Sequence, residues 1–181
     1  MSDSRVLRIG ILGAARIAPS AICVPALALS HKLVALGSRN LEKANLFADR
    51  WGIENVVDGY DDLINHPDID VVYNALPNSM HAKFNIAAMV AGKHVISEKP
   101  FASNFLEAKR VAGVASSKES KIIEAFHYRY HPAIMRAIEV AVSGEIGEIT
   151  KVTSALNIPA PSEEDLRWQF ELSGGAMMDL G

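Results

Sequence analysis

Residues Val6–Pro19, "VLRIGILGAARIAP", decide the fold. The run Val6 to Leu12 is apolar apart from Arg8 and reads as a buried strand. Gly13 then stops it, and small residues lead into an apolar helix that continues to about Ser30. A strand, a tight glycine turn and a helix in that order open a βαβ unit. Against the dinucleotide pattern G-x-G-x-x-G/A, Gly13-Ala14-Ala15-Arg16-Ile17-Ala18 reads G-x-A-x-x-A. Gly13 supplies the tight turn, and Ala18 is small enough for close helix–strand packing. Ala15 replaces the glycine that would let a pyrophosphate approach the backbone. Taken alone the turn is weak, because any tight strand-to-helix connection favours small residues; its place in a βαβ unit points to a dinucleotide.

Outward from this stretch the same alternation repeats. "KLVALGS" is the next strand, and Asn40 caps the helix "LEKANLFADRW", which Gly52 ends. "NVV", "DVVYNAL", "HVIS" and "KIIEAF" are further short strands. Between them lie the helices "YDDLINH", "SMHAKFNIAAMVA" and one starting at Ser103 or Asn104, where Glu107 completes a capping-box arrangement. Pro132 suits the first position of "AIMRAIEVAVS". The expected class is α/β, a Rossmann-type doubly wound parallel sheet. After Gly147 the pattern changes. "EITKVTSALNI" alternates like a half-exposed antiparallel strand, so residues 1–145 are expected to form the dinucleotide domain. Residues 146–181 are expected to begin an incomplete α+β antiparallel-sheet domain.

Bulk properties set the frame. The chain has 181 residues, 49% of them hydrophobic, and a net charge of −3. That balance gives no electrostatic reason to expect nucleic acid or an anionic membrane. No run reaches membrane-spanning length, and Cys23 stands alone, which suits a reducing compartment; the expected location is cytoplasmic. The close at "LSGGAMMDLG", apolar and without a polar tail, leads us to expect a truncated sequence.

The second strand ends Gly37-Ser38-Arg39. NAD sites place an acid there for the ribose hydroxyls; a hydroxyl beside a guanidinium suits a 2′-phosphate, so NADP is favoured over NAD. Further along, "HVISEKP" ends an apolar strand in Glu98-Lys99, with Pro100 behind. His127 and His131 are four apart, but they straddle a strand end with no third ligand, so no metal is expected.

With "SRNLEKA", "ALPNSMH", "GKHVISEKP" and "EAFHYRYHP" following the glycine turn in order, the chain resembles the Gfo/Idh/MocA oxidoreductases. The dihydrodiol dehydrogenase and NADP-dependent D-xylose dehydrogenase branch is the most similar. The resemblance implies that Lys99 is catalytic, reaching the nicotinamide and the substrate oxygen, with Glu98 positioning that region. Gly13, Ala14, Ala15, Arg16, Ile17, Ser38, Arg39, Leu76, Pro77, Asn78, His81 and Arg129 would attend the cofactor. His127, Tyr128 and Asp179 would line the substrate pocket. The substrate would be a sugar or cyclic diol, and the parent a homo-oligomer through its sheet domain. In this branch the segment like "GGAMMDLG" continues into a catalytic tyrosine, so the chain alone is expected to bind cofactor without turnover. A reading from another class is a non-catalytic dinucleotide-binding sensor of the same fold; Lys99 favours the enzyme.

Overall fold

The computed structural model describes residues 5–180. Six parallel strands form one sheet in the order β3-β2-β1-β4-β5-β6. They are β1 (Arg8–Leu12), β2 (Lys32–Ser38), β3 (Asn55–Asp58), β4 (Val71–Asn74), β5 (His94–Ser97) and β6 (Ile122–Glu124). The order reverses at β1, which pairs with β2 on one side and β4 on the other. A crevice therefore opens beyond the carboxyl ends of β1 and β4, where the crossovers part to opposite faces.

Alternation along the strands builds the two faces. Ile9 and Ile11 of β1 and Val71 and Tyr73 of β4 share one apolar cluster with Leu33, Leu36, Ala44 and Ala48. Leu12, Val72 and Val95 point the other way, packing with Leu63, Phe84, Met89 and Val111. The first face is covered by α1 (Val24–Ala28), entered through a wide π-type turn at Pro19–Cys23, and by α2 (Leu41–Trp51). The second carries α3 (Asp61–Ile64), α4 (Asn78–Val90) and α5 (Phe105–Ser117). Asn40 caps α2 by accepting from the Lys43 amide, and Gly52 closes it in the left-handed conformation. Asn104 accepts from the Glu107 amide while Glu107 accepts from that of Ser103. The expected helix boundaries there hold.

Two expectations change. The strand expected over "KIIEAF" stops at Glu124, and His127–Tyr130 instead form a 3₁₀ turn. His131 then caps α6 (Pro132–Ser143) by accepting from the Ala133 amide. The antiparallel strand expected over "EITKVTSALNI" is absent: residues 148–158 are irregular and exposed throughout. An alternating segment becomes a strand only when a neighbour satisfies its backbone, and among the described residues every strand pairing is parallel and lies upstream. Beyond it come short 3₁₀ turns at Leu166–Trp168 and Phe170–Leu172, then α7 (Ala176–Leu180).

At the opposite, amino end of the central strands, Arg8 donates to both carboxylate oxygens of Asp70, which also accepts the Arg8 amide. The Arg8 hydrogen bond holds the Asp70 carboxyl below its ordinary 3.8. Stability from this tie is complete above that ordinary value and is lost as pH falls through the lower folded one. Asp70→Asn should therefore unfold at a lower temperature than the unmodified chain at neutral pH. The gap should begin to narrow as pH falls below 3.8 and close only below the lower folded value, as followed by thermal melts across pH.

Candidate functional site

The crevice is a cavity of about 640 Å³ whose walls come from five parts of the chain. The turn after β1 contributes Gly13 to Ile17, the end of β2 contributes Ser38 to Asn40, and the loop after β4 contributes Ala75 to Asn78. Lys43 and Tyr60 line it as well. Residues Glu164 to Arg167, with Leu172 and Gly174, form the fifth part.

Local chemistry fixes each wall. Gly13 sits at φ +83°, and its amide donates to the Gly37 carbonyl at 2.8 Å, so the turn lies against β2. A Cβ on Gly13 would stand 3.1 Å from the Leu76 side chain, and the φ disfavours any L side chain. Gly37 has no room at all: a Cβ there would fall 2.7 Å from the Gly59 carbonyl oxygen. Ala18 is fully buried, as expected of the third small position. Arg16 projects from the turn, exposed, and its guanidinium lies 3.4 Å from the Asp165 carboxylate. That carboxylate is held below its ordinary range, chiefly by accepting the Arg167 amide.

At the end of β2 the two expected residues separate in role. The Ser38 hydroxyl accepts the Asn40 amide at 3.1 Å and shapes the turn into α2. Arg39 is exposed, with its guanidinium 5.9 Å from the centre of the Tyr60 ring. Lys43 stands one helical turn further on and also faces the cavity. No helical spacing announced this second cation, because Arg39 precedes the Asn40 cap and lies outside α2.

Beneath the cleft lies a buried polar network joining the ends of β4 and β5 to α4. The Asn85 side chain accepts from the Asn74 amide nitrogen at 2.8 Å and donates to the Ser97 hydroxyl at 2.9 Å and the Phe101 carbonyl at 3.2 Å. Asn74 in turn accepts the Leu76 amide. His81, 1% exposed, sets one ring nitrogen 2.6 Å from the Pro100 carbonyl oxygen and the other 2.6 Å from that of Leu76. It sits under the cavity rather than in its wall. Asn74, Asn85 and Ser97 carry no motif; the only signal is polar residues at positions where the element pattern demands apolar ones.

The Glu98-Lys99 pair leaves β5 beside this network, with a cis peptide joining Lys99 to Pro100. Lys99 is half-buried. Glu98, 9% exposed, accepts the Tyr73 hydroxyl at 2.8 Å. Burial, with the Glu98 charge second, pushes the Tyr73 phenol far up, so it stays a donor. The His127 ring is 3.7 Å from the same Glu98 oxygen, which joins the two segments. Tyr128 and Arg129 follow in the exposed turn. Asp179 falls in α7, but its side chain lies outside the described residues.

A 3-2-1-4-5-6 parallel sheet with a glycine turn and cavity at its switch point defines a Rossmann-type nucleotide-binding domain. The chain belongs to the Gfo/Idh/MocA oxidoreductase family, NAD-binding Rossmann fold, which it matches over residues 7–126. It is 34% identical over 99% of its length to a dTDP-3,4-didehydro-2,6-dideoxy-alpha-D-glucose 3-reductase of Actinomadura kijaniata, of which the match covers 54%. It is 35% identical over 95% of its length to D-xylose 1-dehydrogenase (NADP(+)) 2 of Haloferax volcanii, covering 53% of that protein. Among solved structures it superimposes on KijD10, a 3-ketoreductase from Actinomadura kijaniata in complex with NADP and TDP-benzene. The TM-score is 0.88 at 33% identity, over 97% of this chain and 54% of that one. The chain thus spans about half the length of the curated relatives it matches.

The polar network yields a test. Asn85→Leu keeps helix propensity but takes from Asn74 its 2.8 Å acceptor, leaving a 3.4 Å bond to the His81 carbonyl, and removes the Asn85 donor from the Ser97 hydroxyl and the Phe101 carbonyl. Losing these bonds should cost about 1–3 kcal/mol, which denaturant unfolding will read as a lowered midpoint.

Proposed function

We propose that this chain is the NADP-binding part of a dehydrogenase or reductase acting on a sugar or sugar derivative. The observation that carries the reading is the charge at the adenosine end of the cleft. Arg39 and Lys43 both face the cavity where β2 ends, and no carboxylate stands at that strand end to serve an NAD ribose. Two cations suit a 2′-phosphate, with Arg39 offering a fork of donors and Lys43 a point charge. The relatives crystallised with NADP or named for it point the same way.

The rest of the cleft fits the same occupant. Gly13, Ala14 and Ala15 line the cavity with no side chain larger than a methyl, which suits a close approach of pyrophosphate to the backbone of the turn. Arg16 overhangs that turn, with Asp165 as its counter-charge. NADP, when bound, supplies the site that accepts or gives the hydride. The chain supplies orientation and proton handling. Lys99 is the group assigned to the reacting oxygen, hydrogen-bonding it and favouring its deprotonated form as a nearby cation. Glu98, held by Tyr73, steadies the strand end from which Lys99 leaves, and His127 and Tyr128 border the substrate side. Residues 1–145 form the cofactor unit and 146–181 the start of a second, substrate-facing one. On this reading the chain by itself binds NADP but does not turn over.

Two measurements test the reading. In a fluorescence titration of this chain, Arg39→Ala should weaken NADP binding by about 1–3 kcal/mol, the range of a lost charge-assisted hydrogen bond, and leave NAD nearly unchanged. Equal losses for both cofactors would remove the 2′-phosphate assignment. In an enzyme that carries this chain and turns over, Lys99→Ala should cut turnover at least about a hundredfold while NADP affinity stays within a few-fold. Near-normal turnover would return Lys99 to a surface ion pair.

A further inference from the structure

His81 is fully buried, sits on no wall of the cavity, and is explained neither by packing nor by cofactor contact. Its two ring nitrogens each face a main-chain carbonyl at 2.6 Å, one belonging to Pro100 and the other to Leu76. Those carbonyls lie in the two loops that the proposed chemistry needs. Pro100 directly follows Lys99, and Leu76 walls the cleft against Gly13. The ring bridges them directly, alongside the Ser103 hydroxyl, which donates to the Asn78 carbonyl at 3.3 Å. Two carbonyls are an unusual pair for one imidazole. A neutral ring donates to one of them at a time, and the protonated ring donates to both. Burial is the strongest influence and holds the ring's pKa below its ordinary 6.5, against the two carbonyls and the Glu98 and Glu124 charges, so the ring is favoured neutral, donating to one carbonyl while its other nitrogen lies against the second. Glu124 also accepts the Phe101 amide at 2.9 Å, so the loop after Lys99 is held from a second side.

We propose that His81 is a positioning residue: one imidazole ties the Lys99–Pro100 loop to the Leu76 loop, so that the proton-handling lysine and the cofactor wall keep a fixed relation. The functional weight of this link rests on the role proposed for Lys99; the link itself does not. Its consequence is directional, because each nitrogen faces one loop. An Asn amide can take the place of Nδ1, which faces Pro100, and a Gln amide the place of Nε2, which faces Leu76.

The test therefore uses two conservative variants and two local readouts in the chain without cofactor. Hydrogen exchange by mass spectrometry follows the segments 75–80 and 98–104, and pulse acetylation follows Lys99. His81→Gln should speed exchange in 98–104 and change the acetylation rate of Lys99 by about three- to tenfold, the effect of one lost hydrogen bond, while 75–80 stays within about twofold. His81→Asn should do the reverse. Equal changes at both segments in both variants, tracking global stability, would make His81 an ordinary core residue and overturn the proposal, as would no change in either. Should a variant fail to fold, nuclear magnetic resonance of the unmodified chain decides. The ring N–H must exchange slowly with solvent and show contacts to both loops; a freely exchanging or flipping ring refutes the link. A separate NADP titration of the unmodified chain reports on the cofactor reading, so the two ideas can fail independently.

Discussion

The amide of Asn85 is the joint on which the cleft depends. It reaches from the buried face of α4 to Asn74 at the end of β4, to Ser97 at the end of β5 and to the Phe101 carbonyl. An amide buried among apolar neighbours is costly unless its donors and acceptor are all used, and here every one has a partner. The same saturation makes the arrangement specific. A helix shifted by one residue would leave several groups unpaired, so α4 has one register against the sheet edge. The loops that leave β4 and β5 inherit that register, and with it the placement of Leu76, Lys99 and Pro100.

The sheet supplies what the network cannot, a crevice. Because β1 is flanked by β2 and β4, the crossover helices leave on opposite faces and no backbone fills the space beyond the strand ends. Gly13 and Gly37 then let the turn lie flat on β2, where any side chain would strike the Gly59 carbonyl or Leu76. Strand order makes the hole, glycines set its floor, and the polar network fixes its rim. None of the three suffices without the others.

How much of this was legible in the sequence follows from how local each feature is. The strand–turn–helix opening, the caps at Asn40 and Asn104, the left-handed close at Gly52 and the absence of an acid after β2 are all decided within a few residues. They read correctly. Ser38 lines the cavity, and its hydroxyl also accepts the Asn40 amide, a turn bond that the sequence did not announce. The partners of Asn85 lie 11, 12 and 16 residues away along the chain, and no spacing rule announces them. Asp165 reaches Arg16 across 149 residues, so its segment could not be foreseen as a wall of the cavity. The segment 148–158 failed for the complementary reason: alternation describes the side chains a strand would have, whereas a strand exists only through a neighbour's backbone.

The central claim is that the cleft between β1, β2 and β4 holds NADP with its 2′-phosphate between Arg39 and Lys43. Mapping amide chemical-shift changes as NADP is added to the labelled chain tests it most directly. The account predicts saturable shifts at Gly13 to Ile17, Arg39 to Lys43 and Leu76 to Asn78, with the Arg39 to Lys43 group much weaker when NAD replaces NADP. Shifts confined to the exposed α6 surface, or identical patterns for the two cofactors, would contradict it.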